Sequence, residues 1–439
     1  MPKSIYIPNK NTHNFNLRTF KDCGLRIMRF TVVTYGSEGD TRPLVALCRG
    51  LMDAGHQVRL FAEQSTLSSA DSYGVPVQVL PGDIRSTLPM ENPSQELRSG
   101  DLWKSIKDGL RAVKDNTAAW MSAVADHARG SDAILFSSLA VLVGHVIAQE
   151  LKKPGIAVWL QPWSPTREFA SPLLPPAKLP GWVNLLSYRA GQAFMLRSYA
   201  QATEAARNEI FRSGAKRKIT LDFPMLYGFS RHLVARPKDW STDTQICGYW
   251  ALPPVEWEPP NELFDFLAAG PPPIYVGFGS VSSFIRRKGL NKIAAAIAGR
   301  RALFYPGWSK ITPDMLPKNF LFVGDTPHAW LFPRTSMVIH HCGAGTAHTA
   351  ARAGVPSIPL PIGADQLFWA GRLAAVGVAP KYMRGTRIDT DKLSTMIAFA
   401  EQDIVRERAK VLGALMSEED GVKTAVTAIE AQVASTRRG

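Results

Sequence analysis

Three short stretches combine residue types that could do chemistry together. In the first, His340-His341-Cys342-Gly343-Ala344-Gly345-Thr346, two imidazoles end an apolar run and a glycine-rich turn opens a helical pattern. Small residues let the backbone approach an anion closely, and a helix start offers free N–H groups with a partial positive charge. His341 and the Thr346 hydroxyl add side-chain donors, so the stretch can cradle phosphate; alone it is equally consistent with a structural turn. The second stretch is Asp365-Gln366, nineteen residues after Thr346. A carboxylate and an amide at a helix start beside an anion site can bracket sugar hydroxyls. The third, Gly36-Ser37-Glu38-Gly39-Asp40, carries a carboxylate able either to take a proton from an alcohol or to cap the next helix. Glu38 reads as a solvated loop charge.

Alternating elements must hold these groups. Residues 28–36 form a β-rich run, Ser37 to Arg42 read as a polar loop, and Pro43 precedes a helix from Leu44 to Ala54. Gly55 stops that helix and His56 to Ala62 give a second strand, completing a βαβ unit. Further strands are predicted over 75–80, 133–136 and 155–160. A helix from Asp101 to His127 carries Trp103, Ile106, Leu110, Val113 and Trp120 at core spacing. The proline-dense stretch Ala251 to Pro273 marks a boundary, after which strands are predicted at 274–280, 301–307, 319–325, 336–341 and 355–361. The last ~50 residues carry a helical pattern throughout. Two successive alternating sets predict an α/β protein of two doubly wound, Rossmann-like domains, with ligands outside the carboxyl ends of the strands. The expected division is a disordered extension over 1–27, a first domain over 28–250 and a linker over 251–272. A second domain follows over 273–405, then helices over 406–439 that can pack back on the first domain.

Composition removes several classes. The 439 residues are 45% hydrophobic and 20% charged, an ordinary globular balance. Cys23, Cys48, Cys247 and Cys342 are scattered, without disulfide or zinc spacing, which suits a reducing cytosol. The net charge is +14, yet the basic residues lie in small groups such as Lys216-Arg217-Lys218, Arg286-Arg287-Lys288 and Arg437-Arg438. No nucleic-acid signature accompanies them, so they read as a solvated basic surface or one drawn to anionic lipid or an anionic donor. No stretch reaches the ~18 apolar residues of a membrane span. Residues 1–27 are polar and lack a signal-peptide core, and Met28 is an alternative start.

The order His341, glycine-rich turn, Thr346, then Asp365-Gln366 resembles the donor-binding signature of family 1 glycosyltransferases, in its bacterial and sterol-type branch. Gly36 to Pro43 resembles the loop that follows the first strand of those enzymes, and Thr326-Pro327-His328 with Trp330 to Pro333 sits where their donor motif begins. The resemblance spans Met28 to the final helices and implies a GT-B fold, two domains facing across a cleft. It implies that His341, the backbone of Gly343, Ala344 and Gly345, and Thr346 hold a diphosphate, while Asp365 and Gln366 hold hexose hydroxyls. Ser280 resembles a second phosphate contact, and Trp308 a nucleotide-side residue, although an aromatic there also serves packing. Asp40 stands where many members place a catalytic histidine; the acidic form belongs to this branch, with the aspartate as base. Thr349 occupies the position of the ribose-binding glutamate of plant members, which leaves uridine and thymidine donors both open.

The implied reaction is inverting transfer of a hexose from a nucleotide-diphosphate sugar, UDP-sugar favoured, to a hydroxyl of a lipophilic acceptor such as a sterol, terpenoid or polyketide. Neither cofactor nor metal is expected, nor nucleic acid. The expected location is the cytoplasm, with peripheral contact at the inner membrane face. A sugar-nucleotide epimerase of the same fold and a non-catalytic nucleotide-sugar-binding protein are the competing readings. Trp159, Trp163, Phe169, Trp182, Leu185 and Phe194 are candidates for either the acceptor side or the core. Gln161 to Arg167 resembles the stretch that lines the acceptor side.

Overall fold

The computed structural model describes residues 26–82, 101–212, 219–254, 256–279, 287–307 and 309–436, with only the backbone for 101–109. Ser280, Trp308, Cys23, the extension up to residue 25 and the basic residues 216–218, 286 and 437–438 lie outside the described residues.

Strand β1 (Arg29–Val33) pairs in parallel with β2 (Gln57–Glu63) on one side and β4 (Ala133–Phe136) on the other. With β3 (Val77–Leu80), β5 (Gly155–Trp159), β6 (Met225–Tyr227) and β7 (Thr244–Ile246) they form a seven-stranded sheet in the order β3-β2-β1-β4-β5-β6-β7. A second, five-stranded sheet holds β8 (Ile274–Gly277), β9 (Ala302–Tyr305), β10 (Phe320–Phe322), β11 (Met337–His340) and β12 (Ser357–Pro359) in the order β10-β9-β8-β11-β12. Strands such as Ala-Ile-Leu-Phe at 133–136 are buried along their whole length, as parallel strands covered on both faces require. The chain order reverses between β1 and β4 and again between β8 and β11. At such points a crevice opens beyond the carboxyl ends of the strands.

The described α-helices are α1 (Glu38–Asp53), α2 (Ser68–Ser72), α3 (Asp101–Ala128), α4 (Val141–Glu150), α5 (Gly181–Phe211), α6 (Asn261–Ala268), α7 (Arg287–Ile297), α8 (His328–Leu331), α9 (Ala344–Arg352), α10 (Gln366–Ala375), α11 (Thr390–Ala400), α12 (Asp403–Ser417) and α13 (Gly421–Thr436). None is long and apolar enough to cross a membrane.

Two local expectations change. Residues 38–43 are not a loop: α1 starts at Glu38, six residues before Leu44, and carries Pro43 inside it. Ser37 caps it and Asp40, at the third helical position, accepts the Ser37 backbone N–H, the return half of a capping box. Pro43 merely leaves the Gly39 carbonyl without its usual partner, a small loss near a helix end. The first sheet also gains β6 and β7, three-residue strands between prolines and turns whose pattern is too short to read.

The C-terminal helix returns to the first domain. Ala425, Val426, Ile429 and Val433 of α13 share a core with Leu44, Leu47 and Leu51 of α1, and His56 Nε2 lies 2.8 Å from Glu430 Oε1. The chain therefore passes between the domains twice, and the two passages touch: a Cβ on Gly421 would fall 2.5 Å from the Gly248 carbonyl carbon.

Candidate active site

Asp40 stands beyond β1, and Ser138 follows β4 at the same reversal point. The Ser37 backbone N–H and hydroxyl donate to Asp40 Oδ2 at 2.8 and 3.0 Å, and the Ser138 hydroxyl donates to Oδ1 at 3.0 Å. An ionised carboxylate offers about four lone-pair sites; three are taken, and the open one is on Oδ1. Burial pushes this carboxyl above its ordinary value, while the Ser37 and Ser138 donors pull it down. Gly36 makes room for it, since a Cβ there would fall 2.4 Å from Oδ2. The capping and the proton-accepting readings of Asp40 are thus compatible, because one carboxylate edge caps the helix and leaves a lone pair on the other.

The second reversal point, beyond β8 and β11, brings together the remaining candidates. Gly343 caps α9, and the first amide to find an intrahelical acceptor is that of Ala347, on the Gly343 carbonyl. The amides of Ala344, Gly345 and Thr346 therefore face off the helix end. His341 is wedged between two glycines: a Cβ on Gly343 would lie 2.6 Å from its Nε2, and one on Gly279 3.2 Å from its Cε1. Burial pushes this imidazole down to about 4, so it is neutral near pH 7, and Nδ1 has no hydrogen-bond partner among the described residues. A neutral imidazole beside free helix amides is a donor set for an anion.

Asp365 caps α10 on the same wall, its Oδ2 accepting the Trp369 indole N–H at 3.1 Å. Burial, and then the charge of Asp40, raise its carboxyl to about 6. Gln366 turns its Oε1 onto the amides of Ile362 (2.8 Å) and Gly363 (3.3 Å), which fixes the loop and leaves its amide nitrogen to donate. Backbone strain gathers here: Ser138, Cys342 and Ala364, each next to a site residue, take left-handed φ of 51°, 65° and 52° without being glycine. Among the described residues no cluster of three or more His, Cys, Asp or Glu has the makings of a metal site.

Several positioning residues carry no local sequence signal. His348, two residues beyond Thr346, accepts the Ser230 N–H on Nε2 at 3.2 Å and meets the Ala344 carbonyl through Nδ1 at 2.7 Å. Only the neutral tautomer with the proton on Nδ1 makes both bonds, and the one to Ser230 ties α9 to the first domain. Its ring stacks on Tyr249 at 5.0 Å. Thr349 bonds the Gly345 carbonyl and the Tyr249 hydroxyl, so its hydroxyl is engaged within the helix and the interdomain seam. In the first domain Trp163 stacks on buried Trp159 at 5.3 Å, and Phe169 meets Phe368 of α10 at 5.7 Å. Trp182 and Phe194 are exposed and so are not core residues.

This geometry has relatives. Residues 30–170 match the glycosyltransferase family 28 N-terminal domain, and residues 308–428 the erythromycin biosynthesis protein CIII-like C-terminal domain. An O-mycaminosyltylonolide 6-deoxyallosyltransferase of Streptomyces fradiae is 30% identical over 421 residues, covering 92% of this chain and 97% of that protein. A sterol 3-beta-glucosyltransferase of Arabidopsis thaliana is 30% identical over 94% of this chain, and one of Saccharomyces cerevisiae 28% over 91%. The chain spans 66% of the plant protein and 35% of the yeast one. Among solved structures, the glycosyltransferase of kitacinnamycin superposes with a TM-score of 0.66 at 17% identity, over 93% of this chain and all of that one. A glycosyltransferase from Streptomyces nogalater gives 0.64 at 18% identity, over 92% of this chain and 99% of the other. The two facing α/β domains are the GT-B fold, and the chain belongs to the family 1 glycosyltransferases, in the branch that holds the sterol and bacterial natural-product enzymes.

Proposed function

We propose that the protein is an inverting hexosyltransferase, moving a sugar from a nucleoside diphosphate, UDP favoured, to a hydroxyl of a sterol-like or polyketide acceptor. The observation that carries the reading is that Asp40 and Asp365, from different domains, lie close enough for the charge of the first to raise the carboxyl of the second. One carboxylate lies on the acceptor domain with an open lone pair; the other stands beside an anion cradle on the donor domain. Residues His341, Ala344, Gly345 and Thr346 hold the diphosphate, with Gly343 giving the close approach, and Asp365 and Gln366 hold the hexose. Ser280 and Trp308 remain proposed donor contacts by family position.

In the reaction the acceptor oxygen attacks the anomeric carbon opposite the leaving diphosphate. The carbon–oxygen bond to phosphate breaks and its electron pair leaves on the nucleoside diphosphate, whose charge meets the amides of α9 and the His341 N–H. The acceptor proton passes to Asp40 Oδ1, whose burial strengthens it as a base. No metal or cofactor is required by this scheme. The acceptors in the relatives' names, sterols and O-mycaminosyltylonolide, support a lipophilic acceptor. A cytoplasmic enzyme working against a membrane face fits such an acceptor.

The test is a screen of UDP- and dTDP-hexoses for thermal stabilisation, followed by incubation with sterol and polyketide aglycones and a search for the mass of one added hexose. A glycosylated product with inverted anomeric configuration supports the reading. Sugar epimerised without acceptor, or no stabilisation by any nucleotide sugar, overturns it.

A further inference from the structure

Helix α5 has two apolar sides. It buries Tyr188, Tyr199 and Ala206 beside the polar Asn184, Thr203 and Arg207, while turning Trp182, Leu186 and Phe194 to solvent at 68%, 55% and 49% exposure. Trp182, Leu186 and Phe194 are four and eight positions apart, with Arg189 between the last two and Arg197 one turn beyond, so at about 100° per residue they share one broad face. The loop before the helix continues it: Leu173 and Leu174 are exposed, as are Pro175, Pro176 and Lys178. Leu173 lies against the helix at Gly191, where an added Cβ would stand 3.1 Å from its Cδ1. An apolar surface of this extent on one element marks something that covers it.

Charge identifies the cover. Residues 169 to 203 contain Lys178, Arg189 and Arg197 and no Asp or Glu. The carboxylate before this span, Glu168, is engaged by the Lys238 amide. Two copies of such a face would set three cations against three with no counter-charge, which disfavours self-association. Interleaved cations with an exposed tryptophan and aliphatic side chains match the boundary of an anionic bilayer, where rings and leucines enter the headgroup region and cations meet phosphate. The surface also reaches α10 beyond Gln366: Pro176 packs on Gly371, five residues past Gln366, and Phe169 on Phe368.

We propose that residues 173–182 and the outer face of α5 dock the protein on an anionic lipid surface, which sets the acceptor side of the cleft at the bilayer boundary. The docking stands on exposure and charge alone; its use, delivery of a lipid-dissolved acceptor, rests on the transferase reading.

The test is flotation of the whole protein with vesicles of phosphatidylcholine, and with vesicles carrying about one third phosphatidylglycerol, at low and high salt. The expected result is binding to the anionic vesicles, weakened by salt. Combined K178E, R189E and R197E should lower partitioning by on the order of 100-fold, at about a fivefold loss for each cation removed. Combined W182S, L186S and F194S should abolish binding while keeping the thermal midpoint and nucleotide-sugar stabilisation. Failure of the native protein to float with anionic vesicles overturns the proposal, as does unchanged floating of both variants, or a dimer in solution that the serine variant dissociates. Nucleotide-sugar stabilisation read in parallel separates the two ideas: its absence sinks the transferase reading and leaves the docking result standing.

Discussion

Asp40 and Asp365, from different domains, share one electrostatic environment: the charge of Asp40 helps hold the Asp365 carboxyl near 6. Each therefore reports on the other. A carboxylate that orients hydroxyls works best ionised, and Asp365 sits within reach of losing that charge in mild acid.

Asp40→Asn should lower turnover by about 10²–10⁴-fold, the usual contribution of a positioned base. Nucleotide-sugar affinity should remain within a few-fold, because Asp40 lies outside the diphosphate cradle. Steady-state kinetics with calorimetric binding checks both; unchanged turnover sinks Asp40 as the base.

Nucleotide-sugar binding should weaken as pH falls through about 6, when Asp365 takes up a proton. In Asp40→Asn the like charge is gone, so that acid limb should move to lower pH. The measurement is a pH series of dissociation constants for both proteins, and an unshifted limb would separate the two carboxylates.

Gly36→Ala puts a methyl group where the Asp40 carboxylate lies. The backbone beside it is tied into α1, so the carboxylate must move. Misplacement of a reacting group by about 1 Å costs up to ~10²-fold in rate. The expected outcome is a fall in kcat with little change in donor KM, and a thermal midpoint close to native.

His348→Ala leaves the Ser230 N–H without its acceptor in a buried seam. A destabilisation of about 1–3 kcal/mol is expected for the stranded donor, read by urea unfolding. Donor KM should rise with it, since the same ring holds the Ala344 carbonyl at the start of the anion cradle.

Stability should decline in acid before the carboxylates of the surface titrate. Burial lowers His328 and His340 to about 3, and His145, His341 and His348 to about 4, from 6.5. Below 6.5 the unfolded chain gains protons that the folded one refuses, so unfolding becomes easier as pH drops toward 4. Asp365, raised from 3.8 to about 6, acts in the opposite sense between those values. Asp40, also raised by burial, acts in the same sense as Asp365; five imidazoles outweigh these two carboxyls, and thermal midpoints between pH 7 and 4 should fall steadily.

Features encoded within one turn of chain were legible before the fold was known. The glycine turn at 343–345, the helix after it and the Asp365-Gln366 cap each depend on neighbours in sequence. Where two local signals competed, the stronger-looking one misled: Pro43 suggested a helix start, while the Ser37–Asp40 capping pair set it six residues earlier. Ser138 and His348 were not legible, because what they touch is fixed by strand order and domain contact. Ser138 meets Asp40 only because β4 lies beside β1.

The touching passages at Gly248 and Gly421 have a mechanical meaning. A body held by one thread swivels freely, and one held by two separated threads turns about the line between them. Two threads fused at a point make an axle, and any opening of the cleft must turn there. Neither glycine leaves space for a side chain, so bulk at either position jams the axle far from every atom of the substrate.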